Sequence, residues 1–290
     1  TSIAMAGSLA GSVWNIVFDY IFIFPAGLGF SGAALATACC PVVTIAVCMI
    51  HYLGKKCHIG FKWKKLSVRH LISCCQLGVS AFVGEISSAV IALVFNMLIL
   101  GIAGSIGVAA YGIVANLSIV GMSILNGLAQ GVQPLISESY GKGEQKTVRK
   151  LLRWGMNSAI VIEVVMVVLV WIFTDPLVAV FNSENNSLLL KYAHTGLQLY
   201  FLGFLFAGIN IAYQGIYQAL DGGIESLVIS LLRQFIIILP LAGIFSMFVR
   251  NGQMGVSLIW WAFPITEIIS CLVGYVFLKR IRKNKVDVLN

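Results

Sequence analysis

Asn15, Asp19 and Thr37 are polar residues inside two long apolar stretches of the sequence, and together they could bind a cation. Asn15 and Asp19 are four residues apart, so in a helix both side chains lie on one face. Thr37 lies in the next stretch, in a run of small residues that permits close helix packing. Amide, carboxylate and hydroxyl oxygens are ligands suited to Na⁺, and Asp19 could instead take up a proton. The alternative is a structural role, in which Asn15 and Asp19 only hold helices together.

Three glutamates, Glu85, Glu163 and Glu267, lie in other apolar stretches. A carboxylate inside a bilayer is costly, so each is a functional hypothesis by default. Glu85 lies near the middle of its stretch beside Gly84 and small hydroxyl residues, which predicts ion or substrate binding. Glu267 follows Pro264 by three residues, and a proline opens helix backbone groups to a cavity. Glu163 has apolar sequence neighbours, and we expect it to face a cavity or to pair with a group on another helix.

Long apolar segments, separated by short breaks, must position these side chains. Hydrophobic residues make up 59% of the chain and charged residues only 10%, whereas soluble chains carry about 25% charged residues. About 20 apolar residues cross the hydrocarbon core of a bilayer as a helix. The sequence therefore predicts an all-α integral membrane protein with eight transmembrane helices. They cover residues 1–24, 31–53, 71–100, 106–134, 148–174, 188–219, 224–249 and 256–279.

The basic residues orient this bundle. Of the 19 Lys and Arg residues, only Lys191 and Arg250 fall at the end opposite to the others. Because an excess of Lys and Arg marks the cytoplasmic side, that side is predicted to hold the C-terminus. Arg233 enters its segment from there, and we expect it to reach back to the interface or to cap helix carbonyls. The net charge of +8 thus reflects topology, and no nucleic acid is expected as a partner.

Two segments share a pattern of glycines and proline. Gly29 and Gly32 frame a Gly-x-x-Gly motif that is followed by Pro41, nine residues after the second glycine. A second Gly-x-x-Gly, at 252–255, is followed at the same distance by Pro264. Both motifs begin at the outer end of a segment that runs inward, and repeats of the same direction are typical of two related lobes.

Six motifs extend this pattern along nearly the whole chain. They are Asn15-Ile-Val-Phe-Asp19, Gly29-Phe-Ser-Gly-Ala-Ala-Leu-Ala-Thr37, Leu77-Gly-Val-Ser-Ala-Phe-Val-Gly-Glu85, Gly131-Val-Gln-Pro-Leu-Ile-Ser-Glu-Ser-Tyr-Gly141, Ser230-Leu-Leu-Arg-Gln up to Pro240, and Trp261-Ala-Phe-Pro-Ile-Thr-Glu267. In this order the chain resembles the MATE (multidrug and toxic compound extrusion) family, and within it the bacterial MepA-like branch.

The resemblance implies the fold and the domains. MATE proteins have twelve helices in two six-helix lobes, and this chain resembles helices five to twelve, the back two thirds. About four helices would be missing at the front, so the missing helices or a partner lobe are expected partners. The implied domains are the last two helices of the N-terminal lobe (1–54), a basic cytoplasmic inter-lobe loop (55–70), a six-helix C-terminal lobe (71–280) and a cytoplasmic tail (281–290).

The resemblance also assigns roles to residues. Asn15, Asp19 and Thr37 match the cation-site motif of the family's first lobe, although that site also uses an aspartate from a helix that this chain lacks. Glu85 matches an acid implicated in cation binding in Na⁺-coupled members. Those members have a further acid in helix ten, where the matching segment of this chain carries Asn210, Tyr213, Gln214 and Tyr217 but no acid. The predicted substrate-binding residues are Glu85, Asn210, Tyr213, Gln214, Tyr217 and Glu267.

The implied function is a Na⁺- or H⁺-coupled antiporter that exports cationic amphiphilic drugs or metabolites across the cytoplasmic membrane. A lipid-linked sugar flippase of the same superfamily is one alternative, and it would have a basic cavity, whereas the intramembrane charges here are mostly acidic. The second alternative is a truncated membrane remnant that does not transport.

Sequence motifs of enzymes and ATP-driven pumps are absent. The chain contains no HExxH, no G-x-S-x-G and no GxxxxGK[ST] pattern, which argues against a metalloprotease, a serine hydrolase and an ATPase. Its seven cysteines lie mostly in apolar segments or at the predicted cytoplasmic face, and they predict neither disulfides nor a metal site. We expect no enzyme and no cofactor besides the coupling ion.

Overall fold

The structure, a computed structural model, describes residues 2–53, 67–182 and 186–282. Within these ranges all regular structure is helical, which confirms the predicted class. The helices are α1 (Ser2–Ile23), α2 (Gly29–Leu53), α3 (Val68–Gly141), α4 (Gln145–Ile172), α5 (Thr174–Phe181), α6 (Ser187–Ala219), α7 (Gly223–Leu231), α8 (Ile238–Arg250) and α9 (Ala262–Ile281). A π-helical turn (Leu232–Ile236) lies between α7 and α8, and a 3-10 turn (Val256–Trp261) precedes α9.

The chain divides into two compact units, Thr1–Leu66 and Ser67–Asn290. Most of the predicted inter-lobe loop and of the C-terminal tail lies outside the described residues. The predicted domain boundaries therefore stay a prediction.

Seven helical stretches among the described residues are long and apolar enough to cross a bilayer. One of them, Phe82–Gly141 in α3, has 60 residues and leaves the helical conformation at Gly104, where φ is 64°. The rings of Phe95 and Tyr111 stack with their centroids 5.9 Å apart, whereas a continuous helix would separate the two residues by about 24 Å. The helix therefore folds back at Gly104 into two arms, 68–103 and 105–141, which supply two of the eight predicted spans.

The first unit consists of α1 and α2, which pack side by side. The chain enters α2 through Gly29, whose positive φ of 52° is accessible to a residue without a side chain. A β-carbon at Gly11 would lie 3.1 Å from the carbonyl oxygen of Cys40, and one at Gly32 would lie 2.8 Å from that of Phe22. Glycines on both helices thus let the two backbones approach closely.

The second unit is built around α6, which packs against α3, α4, α5, α7 and α9. Its larger apolar core includes the buried rings of Phe95, Phe204, Trp260 and Phe263. The Trp260 ring lies over Gly196 of α6, where a β-carbon would come within 2.8 Å of it. A smaller apolar core lies toward the other end of α6, around Tyr213 and Tyr217. The C-terminal part of α6, beside this smaller core, also carries the polar side chains of Asn210, Gln214 and Gln218.

Two prolines interrupt segments that the sequence predicts as single helices. Pro240 has no N–H to bond the carbonyl of Ile236, four residues earlier, and the π-helical turn ends at Ile236. Pro264 is in the same relation to Trp260, and the 3-10 turn spans that residue. The predicted segment 224–249 is therefore two helices, α7 and α8, joined by the π-helical turn, and the predicted segment 256–279 is a 3-10 turn followed by α9. The first of these turns carries Arg233.

Candidate cation and substrate sites

The first unit brings Asn15 and Thr37 together. The Nδ2 atom of Asn15 donates a hydrogen bond to Oγ1 of Thr37 at 3.3 Å, which joins α1 to α2. Asp19 lies one turn further along α1, and its Oδ1 atom is buried with no hydrogen-bond partner among the described residues. A buried carboxylate oxygen without a donor is costly unless a cation or a proton supplies the missing charge. The site predicted from Asn15, Asp19 and Thr37 stays a prediction, but this geometry suits it.

The second unit contains a polar cavity with a volume of about 330 Å³. Its wall combines both arms of α3 with α6 and the π-helical turn. The lining residues are Gly84, Glu85, Ser88, Met122, Asn126, Ala129, Gln130, Gln133, Ile211, Gln214, Gly215, Gln218, Arg233 and Gln234. Two of these lining residues, Glu85 and Arg233, have charged side chains. Several amides surround them, so the cavity can solvate a charged ligand.

Glu85 contributes an unpaired carboxylate to this wall. It is exposed to the cavity and makes no ion pair or hydrogen bond with any described residue. Its neighbour Ser88 donates its hydroxyl to the Gly84 carbonyl at 3.0 Å, within the same helix. The carboxylate of Glu85 is therefore available to a cation that enters the cavity.

Arg233 and Glu267 form a buried ion pair at the edge of the same cavity. Nε of Arg233 donates to Oε1 of Glu267 at 2.6 Å, and the two side chains are 8% and 12% exposed. Asn210 of α6 holds the other carboxylate oxygen, because its Nδ2 atom donates to Oε2 at 2.7 Å. The same Nδ2 atom also lies 3.0 Å from the Glu267 carbonyl oxygen. The expectation that Arg233 reaches back to the interface is wrong, since an acid inside the bundle neutralises it at lower cost.

Tyr213 and Tyr217 are placed away from the cavity. Their rings stack 6.0 Å apart in the smaller core, and the hydroxyl of Tyr217 donates to the carbonyl of Gly274 on α9. Neither ring lines the cavity, whereas Gln214 of the same helix does. Of the residues predicted to bind substrate, the structure thus brings Glu85 and Gln214 to the wall. It places Asn210 and Glu267 directly behind Arg233.

Glu163 is fully buried in α4 and points at α6. Its Oε1 atom accepts hydrogen bonds from the backbone N–H groups of Gly208 and of Ile209, the second at 3.0 Å. Its Oε2 atom has no partner among the described residues. A side chain at Gly208 would collide with Glu163 and with Leu125, so the absence of one makes room for the carboxyl group. The partner of Glu163 on another helix, which the sequence led us to expect, is therefore the backbone of α6.

Comparison with known proteins identifies the family. The family model described as MatE matches residues 80–244, more than half of the chain. The chain belongs to the MatE family.

Two curated relatives of this MatE chain are multidrug export proteins named MepA. The protein from Staphylococcus saprophyticus is 29% identical over 293 residues, which make up 99% of this chain and 63% of the relative. The protein from Staphylococcus aureus strain MRSA252 is 29% identical over 289 residues, 97% of this chain and 60% of the relative. The chain spans less than two thirds of the length of either relative.

Solved structures agree on the fold. A crystal structure of MATE in complex with MaL6 has a TM-score of 0.87 at 20% identity, and covers 96% of this chain and 62% of that one. A multidrug resistance MATE family transporter of the MOP superfamily, in its outward-facing conformation, has a TM-score of 0.85 at 20% identity with the same coverage. The predicted MATE fold is thereby confirmed, and the protein is a multi-pass membrane protein.

Sequence reasoning missed part of the cavity wall of this MatE chain. Asn126, Gln130 and Gln133 were not among the predicted site residues, although their spacing of four and three residues puts them on one helix face. Gln218 of α6 belongs to the same wall, where it accepts a hydrogen bond from Gln133. A polar stripe on an apolar helix was the available signal. Gln234 carries no such signal, because the π-helical turn decides where its side chain points.

Proposed function

We propose that the protein is a Na⁺- or H⁺-coupled antiporter that exports cationic amphiphilic compounds across the cytoplasmic membrane, with its C-terminus on the cytoplasmic side. The names of the two MepA relatives support export of drugs. The observation that carries the proposal is the carboxylate of Glu85, which lines a cavity of about 330 Å³ without a partner among the described residues. A lipophilic cation would find there an opposite charge, amide dipoles and apolar walls.

The charge of the wall argues for a cation rather than an anion. Arg233 would favour an anionic substrate if its charge were free, as the flippase alternative requires. Glu267 neutralises that charge through the short ion pair, so Glu85 sets the net sign of the described wall. An anion would have to compete with a carboxylate that two side chains already hold in place.

Coupling follows from differential binding. A ligand can shift an equilibrium between two transporter conformations only by its different affinity for them. We assign the coupling ion to the oxygen site at Asp19, with Asn15 and Thr37, and we assign the drug to the cavity at Glu85. Ion binding then favours one conformation, and drug binding favours the other.

Dye efflux tests the proposal. The protein from its native gene is expressed in bacteria without their own multidrug exporters, and the cells are loaded with ethidium. We expect energised efflux in the wild type, abolished when ionophores dissipate both the Na⁺ and the proton gradient. Glu85→Gln should lower the apparent affinity for ethidium about tenfold, the equivalent of about 1.4 kcal/mol.

Glu138→Gln is the matched control, because Glu138 is a surface residue paired with Lys142 and does not line the cavity. Its efflux should equal that of the wild type at matched protein level. Wild-type cells that retain ethidium as strongly as cells without the gene would refute export of such cations.

A further inference from the structure

The charge balance of the cavity wall points to a residue that selects among substrates. The described wall holds one carboxylate, Glu85, and one guanidinium, Arg233. Glu267 is not part of that wall, but its carboxylate contacts Arg233 from behind at 2.6 Å. The three groups together carry one net negative charge, and Glu85 holds it at the surface of the cavity.

The position of Arg233 is fixed from several sides. Its Nε atom is bound to Glu267, and its Nη2 atom lies 3.8 Å from the sulfur of Met122, which also lines the cavity. Asn210 holds the remaining carboxylate oxygen of Glu267, so the acid cannot easily turn toward another cation. The guanidinium of Arg233 therefore pairs with one of the two carboxylates near the cavity, that of Glu267.

We propose that Arg233 is a specificity-determining residue, which neutralises Glu267 and thereby makes the cavity favour substrates with one positive charge over substrates with two. This inference rests on the proposed export of cations and adds a charge rule for them. A substrate with one charge pairs with Glu85. The second charge of a dication meets the guanidinium of Arg233 instead of a second carboxylate, and like charges at close range repel.

A purely structural role for the pair makes a different prediction. If the pair only ties α9 to the π-helical turn, removing either partner weakens folding and binding without regard to ligand charge. If the pair sets the charge of the wall, then the preference between mono- and dications follows the sum of the charges. Removing both partners restores that sum to its wild-type value, and this double variant separates the two roles.

The experiment compares two dyes that share one ring system. Ethidium carries one positive charge, and propidium carries a second one on an added quaternary ammonium group. Their dissociation constants are measured by fluorescence on the purified protein from the native gene in lipid nanodiscs at pH 8, and the readout is their ratio. We expect Arg233→Gln to shift this ratio about tenfold toward propidium, because Glu267 behind the wall is then no longer neutralised and adds a second negative charge to that of Glu85. Arg233→Lys keeps the positive charge and should keep the wild-type ratio.

Two further variants complete the test. Glu267→Gln should shift the ratio about tenfold toward ethidium, since the positive charge of Arg233 is then unopposed. The double variant Arg233→Gln/Glu267→Gln should return to the wild-type ratio. A ratio that is equal in the wild type and in Arg233→Gln overturns the proposal, and so does a double variant that keeps the shift of either single variant.

A variant outside the pair covers the case in which Arg233→Gln does not fold. Gln130→Glu adds a negative charge to the wall without touching the pair, and it should shift the ratio toward propidium. If Arg233→Gln is unfolded, equal ratios in the wild type, Glu267→Gln and Gln130→Glu overturn the proposal. Wild-type protein that binds neither dye would instead contradict the proposed function. If the wild type binds the dyes but the ratio of their dissociation constants does not change with the charge of the variant, only the proposed role of Arg233 is contradicted.

Discussion

Asn15 donates a hydrogen bond to the hydroxyl of Thr37 at 3.3 Å, across the contact between α1 and α2. Asn15 lies four residues before Asp19, so both side chains are on the same face of α1. The Oδ1 atom of Asp19 is buried and has no donor among the described residues. Asn15 and Thr37 thus hold each other in place, while the carboxylate one turn away forms no ion pair within the part of the chain that the structure describes.

This arrangement predicts that Asp19→Asn abolishes coupled efflux. An amide is similar in shape to the carboxylate, so membrane insertion should be unchanged, but it can neither balance Na⁺ nor carry a proton. The measurement is ethidium efflux driven by an imposed Na⁺ or proton gradient, at matched protein level. Ser12→Ala is the control, since Ser12 lies on the same helix and, among the described residues, its hydroxyl bonds only to the carbonyl of Ser8. Normal gradient-driven efflux in Asp19→Asn would remove Asp19 from the mechanism.

The close approach of α1 and α2 gives a second prediction, for Gly32→Ala. The added β-carbon would lie 2.8 Å from the carbonyl oxygen of Phe22, and a backbone atom cannot rotate away. We expect a loss of about 1–3 kcal/mol in the free energy of unfolding, as in other overpacked sites. Thermal unfolding of the detergent-solubilised protein checks this.

Gly78→Ala is the matched control for Gly32→Ala. Apart from the adjacent helix backbone, no atom of a described residue lies within 4 Å of a β-carbon at Gly78, and alanine is the better helix former by about 1 kcal/mol. This variant should be as stable as the wild type or more stable. Equal melting temperatures for the two alanine variants would show that α1 and α2 are not in close contact at Gly32.

The parts of the structure that follow from local spacing could be predicted from the sequence. The separation of four residues put Asn15 and Asp19 on one face, and the small residues around Thr37 indicated that α2 could come close enough to meet them. The repeated Gly-x-x-Gly motif also has a structural counterpart, because both first glycines, Gly29 and Gly252, have positive φ (52° and 70°). In each case the signal is a spacing or a residue type within a short stretch of the sequence.

The ion pair in the second unit depends on distant parts of the chain and could not be predicted in this way. Arg233 and Glu267 are 34 residues apart and lie on different elements. The direction of Arg233 is set by the π-helical turn, and apolar sequence on either side gives no sign of a partner. For Tyr213 and Tyr217 the sequence predicts a site that the structure does not form. Their hydroxyl groups suggest substrate binding, but both rings are buried by packing against Gly274 of α9.

Glu163 gives the third prediction, because its role in the structure needs an acceptor and not a charge. Its Oε1 atom accepts the N–H groups of Gly208 and Ile209 in a fully buried position. Glu163→Gln retains an oxygen at this place, so its free energy of unfolding should stay within about 1 kcal/mol of the wild type. Glu163→Leu has a similar volume but no acceptor, so both hydrogen bonds to α6 are lost, at about 0.5–1.5 kcal/mol each.

Denaturant unfolding of both Glu163 variants in detergent micelles measures the difference between them. A large gap between Gln and Leu supports the acceptor role, because the two side chains differ in hydrogen bonding far more than in size. If Glu163→Gln is instead as unstable as Glu163→Leu, then the negative charge itself stabilises α6. In that case Glu163 carries a negative charge in the second unit, as Glu85 and Glu267 do. The sum of charges that sets the preference between mono- and dications would then include Glu163 as well as Glu85, Arg233 and Glu267.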